Sequence, residues 1–342
     1  MRKFCFILFW LTIHHQATYS QPLPLNRQQF FLDDSPIEVT LTTDIRKLRN
    51  DKKDPAYMPA HIVMQFADSL IISEDIRVQP RGVYRKNYCD IASLMLDFKN
   101  PFSPKLSPLK KLKLVGGCRN GFMYDELLLK EFMVYKIQNF LSNMSFRVRL
   151  LHVTYKDSRQ KVKSYTQYAF LIEDIKDLAT RNNCIEIKSQ DMLTEATNRE
   201  QMTFVNLFQY MIGNTDWSVP KCHNIKLMAP KNDTLAKPYA IAYDFDYCGF
   251  VNANYAVPTP ELGIESVRER LYRGFSRSLN ELETALEVFN EKKESIMYYI
   301  NHFELCSTKC RKEMVDYINE FYDFVADKKN VKSGFILNAR IR

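Results

Sequence analysis

Glycine is scarce in this chain, nine in 342 residues, and no glycine-rich loop of the kind that cradles phosphates is formed. No CxxC pair occurs, so a cysteine-based zinc site is not expected. Neither a histidine cluster nor a carboxylate-rich metal set stands out, which ranks metal-dependent hydrolysis last among the chemistries considered. Positive charge is spread along the chain rather than gathered in one block, which argues against nucleic-acid binding. A solvated basic surface accounts for it, and a basic cleft that attracts an anionic substrate is compatible with it. Beyond the first twenty residues no apolar run approaches a transmembrane helix, and no internal repeat is evident.

What is present begins with an export signal. Arg2 and Lys3 precede an apolar run over 4–13, and Ala17-Thr18-Tyr19-Ser20 offers small residues at a cleavage site. Residues 1–20 therefore read as a secretory signal peptide, with an uncleaved anchor as the alternative. The mature chain is expected to be exported, to periplasm, cell surface or medium, without a stable membrane span. It is long enough for one large domain or two lobes sharing a cleft. Seven cysteines remain after cleavage, and export favours disulfides. The first pairing expected is Cys89 with Cys118, each at a strand edge, and the next is Cys222 with Cys248. Cys306 and Cys310 stand four apart and can pair only if a helix breaks between them. Connectivity stays open at this level.

Residues 21–35 read as a polar lead-in. From Ile37 to Thr42 apolar and polar residues alternate, as in a half-buried strand. Residues 44–59 read as a loop. Residues 61–66 and 69–72 read as a hairpin, followed by strands over 76–82, 91–98 and 109–115, so this third of the chain is a mostly antiparallel sheet. A helix follows over 124–141, with Glu126 and Glu131 early in it, then strands over 146–155 and 165–172. Glu173-Asp174-Ile175 suggests a hinge. Beyond it helices dominate, with a capping box at Thr197-x-x-Glu200, a short charged helix over 265–272, a second box at Ser278-x-x-Glu281 and a last helix around Met314–Phe324.

The densest chemistry lies in 213–249. A helix stops at Gly213-Asn214 and delivers Thr215-Asp216 into a loop. His223-Asn224 opens one strand, and Asp244-Phe245-Asp246 closes its partner. A short turn between those strands would bring Asn224 and Asp244 to the same end of a hairpin. Phosphoryl transfer needs a carboxylate to orient the acceptor hydroxyl, and an amide with a second carboxylate to hold magnesium on nucleotide phosphates. Asp216 suits the first role, and Asn224 with Asp244 the second. Asp246 is a further ligand or a structural partner for a basic side chain. Each residue also has a plain structural reading: Asp216 as a turn cap, His223 as a packed or surface histidine, Lys113 on a solvated face, Glu131 on a helix surface.

The string from Asp216 through His223-Asn224 to Tyr243-Asp244-Phe245-Asp246 resembles the atypical kinases of the CotH spore-coat type, with HipA-type and phosphatidylinositol kinases. Arg81-Gly82, the strand–helix unit of 109–141 and Phe170-Leu171-Ile172-Glu173 follow the same order, so the resemblance covers roughly 75–250. It implies an α+β, bilobal protein-kinase-like fold, with an antiparallel β-rich N-lobe over 36–172 and a mainly helical C-lobe over 173–335. It also implies Asp216 as catalytic aspartate, Asn224 and Asp244 as ligands of Mg²⁺ or Mn²⁺, Lys113 (with Lys86 as rival) on the phosphates of ATP, and Glu131 as the helix partner of that lysine. The acceptor would be a protein or glycan hydroxyl. The chain departs from the pattern in the wide spacing of Asp216 and Asn224 and in Trp217, which stands where a basic residue or histidine is common. The alternative is a noncatalytic, pseudokinase-like exported protein that binds an envelope glycan or protein.

Overall fold

The computed structural model describes residues 26–51, 55–82, 89, 93–99, 105–189, 191–233 and 235–340. Residues 1–20, read as a signal peptide, and Lys86 lie outside the described residues. Seven strands come first: β1 (Ile37–Thr43), β2 (Met58–Gln65), β3 (Ile71–Arg81), β4 (Ser93–Asp97), β5 (Lys111–Gly116), β6 (Val148–Asp157) and β7 (Tyr165–Ile172). They close into a barrel in the order β1-β2-β3-β4-β5-β7-β6. Six of the pairings are antiparallel. The seventh sets β1 parallel to β6, with Ile37 opposite Leu151 and Thr43 opposite Asp157.

This closure overturns the expected bilobal kinase-like architecture with an antiparallel β-rich N-lobe. It is held by the parallel pairing of β1 with β6 over one shared core. Ile37, Val39 and Leu41 of β1 turn inward and meet Leu151 and Val153 of β6, along with Ile62, Val78, Leu96 and Leu112, in one buried core. Pairing β1 with β6 satisfies both remaining strand edges while keeping that face dry.

Helices α1 (Arg27–Phe30) and α2 (Ile45–Asn50) flank the first strand, the latter inside a segment read as loop and capped by Asp44. The main helices are α3 (Phe122–Leu141), α4 (Ile175–Arg181), α5 (Arg199–Met211), α6 (Leu279–Asn301), α7 (Thr308–Ala326) and α8 (Lys328–Lys332). A second sheet, β8 (Cys184–Ile187), β9 (Ile225–Pro230) and β10 (Tyr239–Ala242), runs in the order β10-β9-β8. Its first strand was not anticipated. The short helix expected over 265–272 is absent, and Asn198, not Thr197, caps α5 by accepting from the Gln201 N–H. Among the described residues no helix is long and apolar enough to cross a membrane.

The helices enclose a second core around Phe132, Tyr135, Phe208, Phe245, Phe289 and Phe321. Strands β6 and β7 serve both cores: Leu151 and Leu171 face the barrel interior, whereas Leu150, Phe170 and Ile172 face the helices. Residues over 169–172 are all apolar because both faces are covered. Glu173, just past β7, is buried and accepts from Arg181 at 2.9 and 3.0 Å and from the Arg147 N–H at 3.1 Å.

The Ser278 capping box is formed, and Glu281 also pairs with Arg199. That guanidinium, with the Ser278 donors, holds the Glu281 carboxyl down at about 2 against an ordinary 4.5. A depressed carboxylate stabilises the fold above the unfolded value and loses that contribution as pH falls through the folded one. Stability is therefore expected to drop between pH 4.5 and about 2. Glu281→Gln should flatten that limb of a urea-midpoint profile and cost about 1 kcal/mol at neutral pH, a figure kept small because the side chain is a third exposed. An unchanged acid limb would refute this.

Candidate functional site

Helix α5 ends where Gly213 takes a left-handed φ of 64°, and the chain turns back on itself. The Gly249 N–H donates to Gly213 O and the Phe250 N–H to Ile212 O, both at 3.0 Å, so the two ends of the 213–249 stretch are tied together. Asn214 is buried; its amide donates to Gln209 Oε1 at 3.0 Å, and its Oδ1 accepts from the Asp216 N–H at 3.0 Å. These bonds fix where Asp216 leaves the helix end.

The wide interval to Asn224 is taken up by a small hairpin. Ser218 and His223 form an antiparallel bridge, exchanging N–H to O bonds of 2.9 and 3.0 Å, and the Cys222 N–H closes onto Val219 O. Asn224 thereby returns to Asp216, its Nδ2 donating to Asp216 O at 2.8 Å and to Oδ2 at 3.0 Å. His223 Nε2 lies 2.8 Å from Asp216 Oδ1. With its amide nitrogen committed, Asn224 has its side-chain oxygen to offer a cation.

The β9–β10 register pairs Ile225 with Ala242, so Asn224 and Tyr243 stand side by side and Asp244 follows at the same end. This is the hairpin expected from two strands joined by a short turn. Asn224 and Asp244 both hold left-handed backbones, φ 53° and 64°. Such a conformation costs about 1 kcal/mol in a non-glycine residue and recurs at functional sites. The buried Tyr135 hydroxyl of α3 accepts from the Asp244 N–H at 2.9 Å and fixes that turn.

A cleft of about 400 Å³ between the barrel and the second sheet collects these residues. Its lining includes Lys113, Asp216, Asn224, Asp244 and Asp246, together with Arg81 and Lys226. Asp246 accepts from the Tyr255 hydroxyl at 3.3 Å. Lys113 and Lys226 each place an ammonium 5.8 Å from the Tyr243 ring centre. Burial pulls the Lys113 pKa below the usual lysine range, Arg81 and Lys226 add to that, and Asp174 and Asp244 oppose it. Crowded cations in a half-closed space favour an anionic ligand.

Glu131 does not join them. It is buried on α3 and borders a separate small pocket beside Gly116, Gly117 and Tyr255; Tyr135, one turn on, feels both Glu131 and Asp244. Cys222 and Cys248, expected as a clamp, are separate thiols: Cys222 Sγ donates to Ser189 O, and burial pushes Cys248 up to about 12. Cys89 and Cys118 are bonded, with Cα atoms 4.5 Å apart.

Two participants escaped the sequence reading. Lys226 was legible in principle, since it lies two residues beyond Asn224 and shares its side of an alternating strand. Arg273 was not. It stacks on Trp217 with its guanidinium carbon 5.3 Å from the ring centre and donates to Trp217 O and Thr215 O; burial and Arg340 lower its pKa, and Asp216 opposes them. A cation therefore stands near Asp216 although Trp217 occupies the adjacent position. Arg273 also lines a second, wider groove of about 760 Å³, which shares Asp216 and His223 with the cleft.

Among the described residues no three His, Cys, Asp or Glu side chains form a ready metal cluster. The donors at hand are one amide oxygen and carboxylates. These are hard oxygen ligands, which suit Mg²⁺ or Mn²⁺ when phosphate oxygens and water complete the shell. No protein-family model matches the chain, and no curated protein is similar to it in sequence.

Proposed function

We propose that the protein is an exported ATP-dependent phosphotransferase, with CotH-like kinase chemistry on a closed-barrel scaffold. The observation that carries this reading is the convergence of Asp216, Asn224, Asp244 and Lys113 on one cleft. Asn224 Oδ1 and the Asp244 carboxylate would hold Mg²⁺ or Mn²⁺, with Asp246 adjacent; the ion, when bound, supplies positive charge to the nucleotide phosphates. Lys113 and Lys226, both beside Tyr243, neutralise phosphate oxygens. Asp216, oriented by Asn224 and His223, takes the proton of the acceptor hydroxyl as its oxygen bonds to the terminal phosphorus and the bond to the leaving diphosphate breaks. The acceptor, a protein or glycan hydroxyl, approaches through the wider groove that shares Asp216. The export signal in residues 1–20 accords with the Cys89–Cys118 bond.

Titration of the mature chain with ATP, with and without Mg²⁺ or Mn²⁺, tests the reading. Metal-dependent binding and autophosphorylation are expected, and the absence of nucleotide binding sinks it. Lys113→Met and Lys226→Met should each weaken ATP binding about 10-fold, the effect of one charge-assisted contact. Full binding in both variants would remove the two lysines from the phosphate site.

A further inference from the structure

The corner between α6 and α7 holds two cysteines that the chemistry above does not use. Helix α6 ends at Asn301 and α7 begins at Thr308, so Cys306 stands before the N-cap Ser307 and Cys310 lies in the first helical turn. The helical break that pairing requires is therefore present. Ser307, with an extended ψ of 157°, leads the chain into the helix and places Cys306 just outside its first turn.

The local backbone is held on several sides. The Cys310 N–H donates to Ser307 Oγ, the Ser307 N–H to Glu126 Oε1 of α3, and Arg311 Nη1 to Cys306 O, all at 3.1 Å. Both cysteines are free thiols, 2% exposed, and close enough for each to shift the other's ionisation. The neighbouring thiol raises the Cys306 pKa and lowers that of Cys310; Lys130 of α3 favours both thiolates, and Glu126 opposes them. The other thiols are placed differently: Cys184 Sγ donates to Asn182 O, Cys222 Sγ to Ser189 O, and Cys248 is fully buried.

We propose that Cys306 and Cys310 are a second disulfide site, closed by exchange with a disulfide oxidant such as oxidised glutathione or a protein disulfide. The Cys310 thiolate attacks one sulfur of the oxidant and releases its partner as a thiol. Cys306 then gives up its proton and attacks the Cys310 sulfur of the mixed disulfide, releasing the second thiol. Two protein thiols are oxidised, and one oxidant disulfide becomes two thiols. Because both sulfurs are buried, exchange occurs before α7 packs against α3, or during opening of the turn. The bond staples a corner that rests on α3, the helix whose Tyr135 holds Asp244.

The test is refolding of the full chain in oxidised glutathione until Cys89–Cys118 is closed, then denaturation, alkylation of remaining thiols, trypsin digestion and mass spectrometry. Cleavage after Lys309 separates the two cysteines, so their bond is read as a joined pair of peptides. That joined pair, with Cys184, Cys222 and Cys248 alkylated, is the expected result. Alkylated Cys306 and Cys310 beside a closed Cys89–Cys118, or either one joined to another cysteine, overturns the proposal. The readout is independent of nucleotide binding, so it stands or falls apart from the phosphotransferase reading.

Discussion

Asp244→Ala loses metal-dependent ATP binding by at least about 100-fold, whereas Asp216→Asn keeps it and loses phosphoryl transfer by about 1000-fold. The split follows from what each carboxylate touches. Asp244 sits at the strand end beside Asn224 and near Lys113, where a cation and phosphates would lie. Replacing it removes an oxygen ligand and leaves the cleft's cations without that counter-charge. Asp216 stands at the junction of the cleft and the wider groove. Its amide counterpart keeps the Asn224 contact in part but cannot accept the acceptor's proton. Calorimetry and turnover on the two variants separate the roles. Equal metal-dependent affinity in Asp244→Ala removes the metal site, and unchanged turnover in Asp216→Asn removes the base. Binding without transfer in the wild type would leave the noncatalytic alternative.

Gly213→Ala is expected to destabilise the fold by about 3 kcal/mol or more. Two costs combine. The left-handed φ of 64° is unfavourable for any residue with a Cβ, and an added Cβ would collide with the Tyr317 hydroxyl. That tyrosine cannot swing aside. It is 1% exposed, and the guanidinium carbons of Arg268 and Arg270 lie 4.2 and 3.7 Å from its ring centre. Gly263 supplies the control, because its φ is 69° and nothing lies within 4 Å of the Cβ position. Gly263→Ala should cost only about 1 kcal/mol, the conformational part alone. Urea unfolding of the two variants measures the difference, and similar midpoints would show that Tyr317 yields.

The hairpin that aligns Asn224 with Asp244 was legible because two short apolar runs are joined by a polar turn. The first-third strands and the capped start of α6 were legible for equally local reasons. Barrel closure was not, since the alternation of β1 says which side is buried but not that its far edge meets β6 in parallel. The four residues of β8 are too few for a period to show. Glu131 carried the helix pattern of a lysine partner, but it lies one turn before Tyr135 on the same face of α3 and borders the small neighbouring pocket, while Tyr135 lines the cleft. Arg273 reaches Asp216 only through tertiary folding, so nothing near either residue announces it.

Phe170 and Leu171 are neighbours in the chain yet belong to different cores. A rigid-body rotation of the barrel against the helices would tear one face of β7 from its packing. The cleft, walled by β5 and β7 on one side and the 213–249 stretch on the other, therefore cannot shut by the hinge expected at Glu173–Ile175, where Glu173 is also pinned to Arg181. Nucleotide would have to be admitted by side-chain rearrangement of Arg81, Lys113 and Lys226 around a fixed frame, with shape set before the ligand arrives.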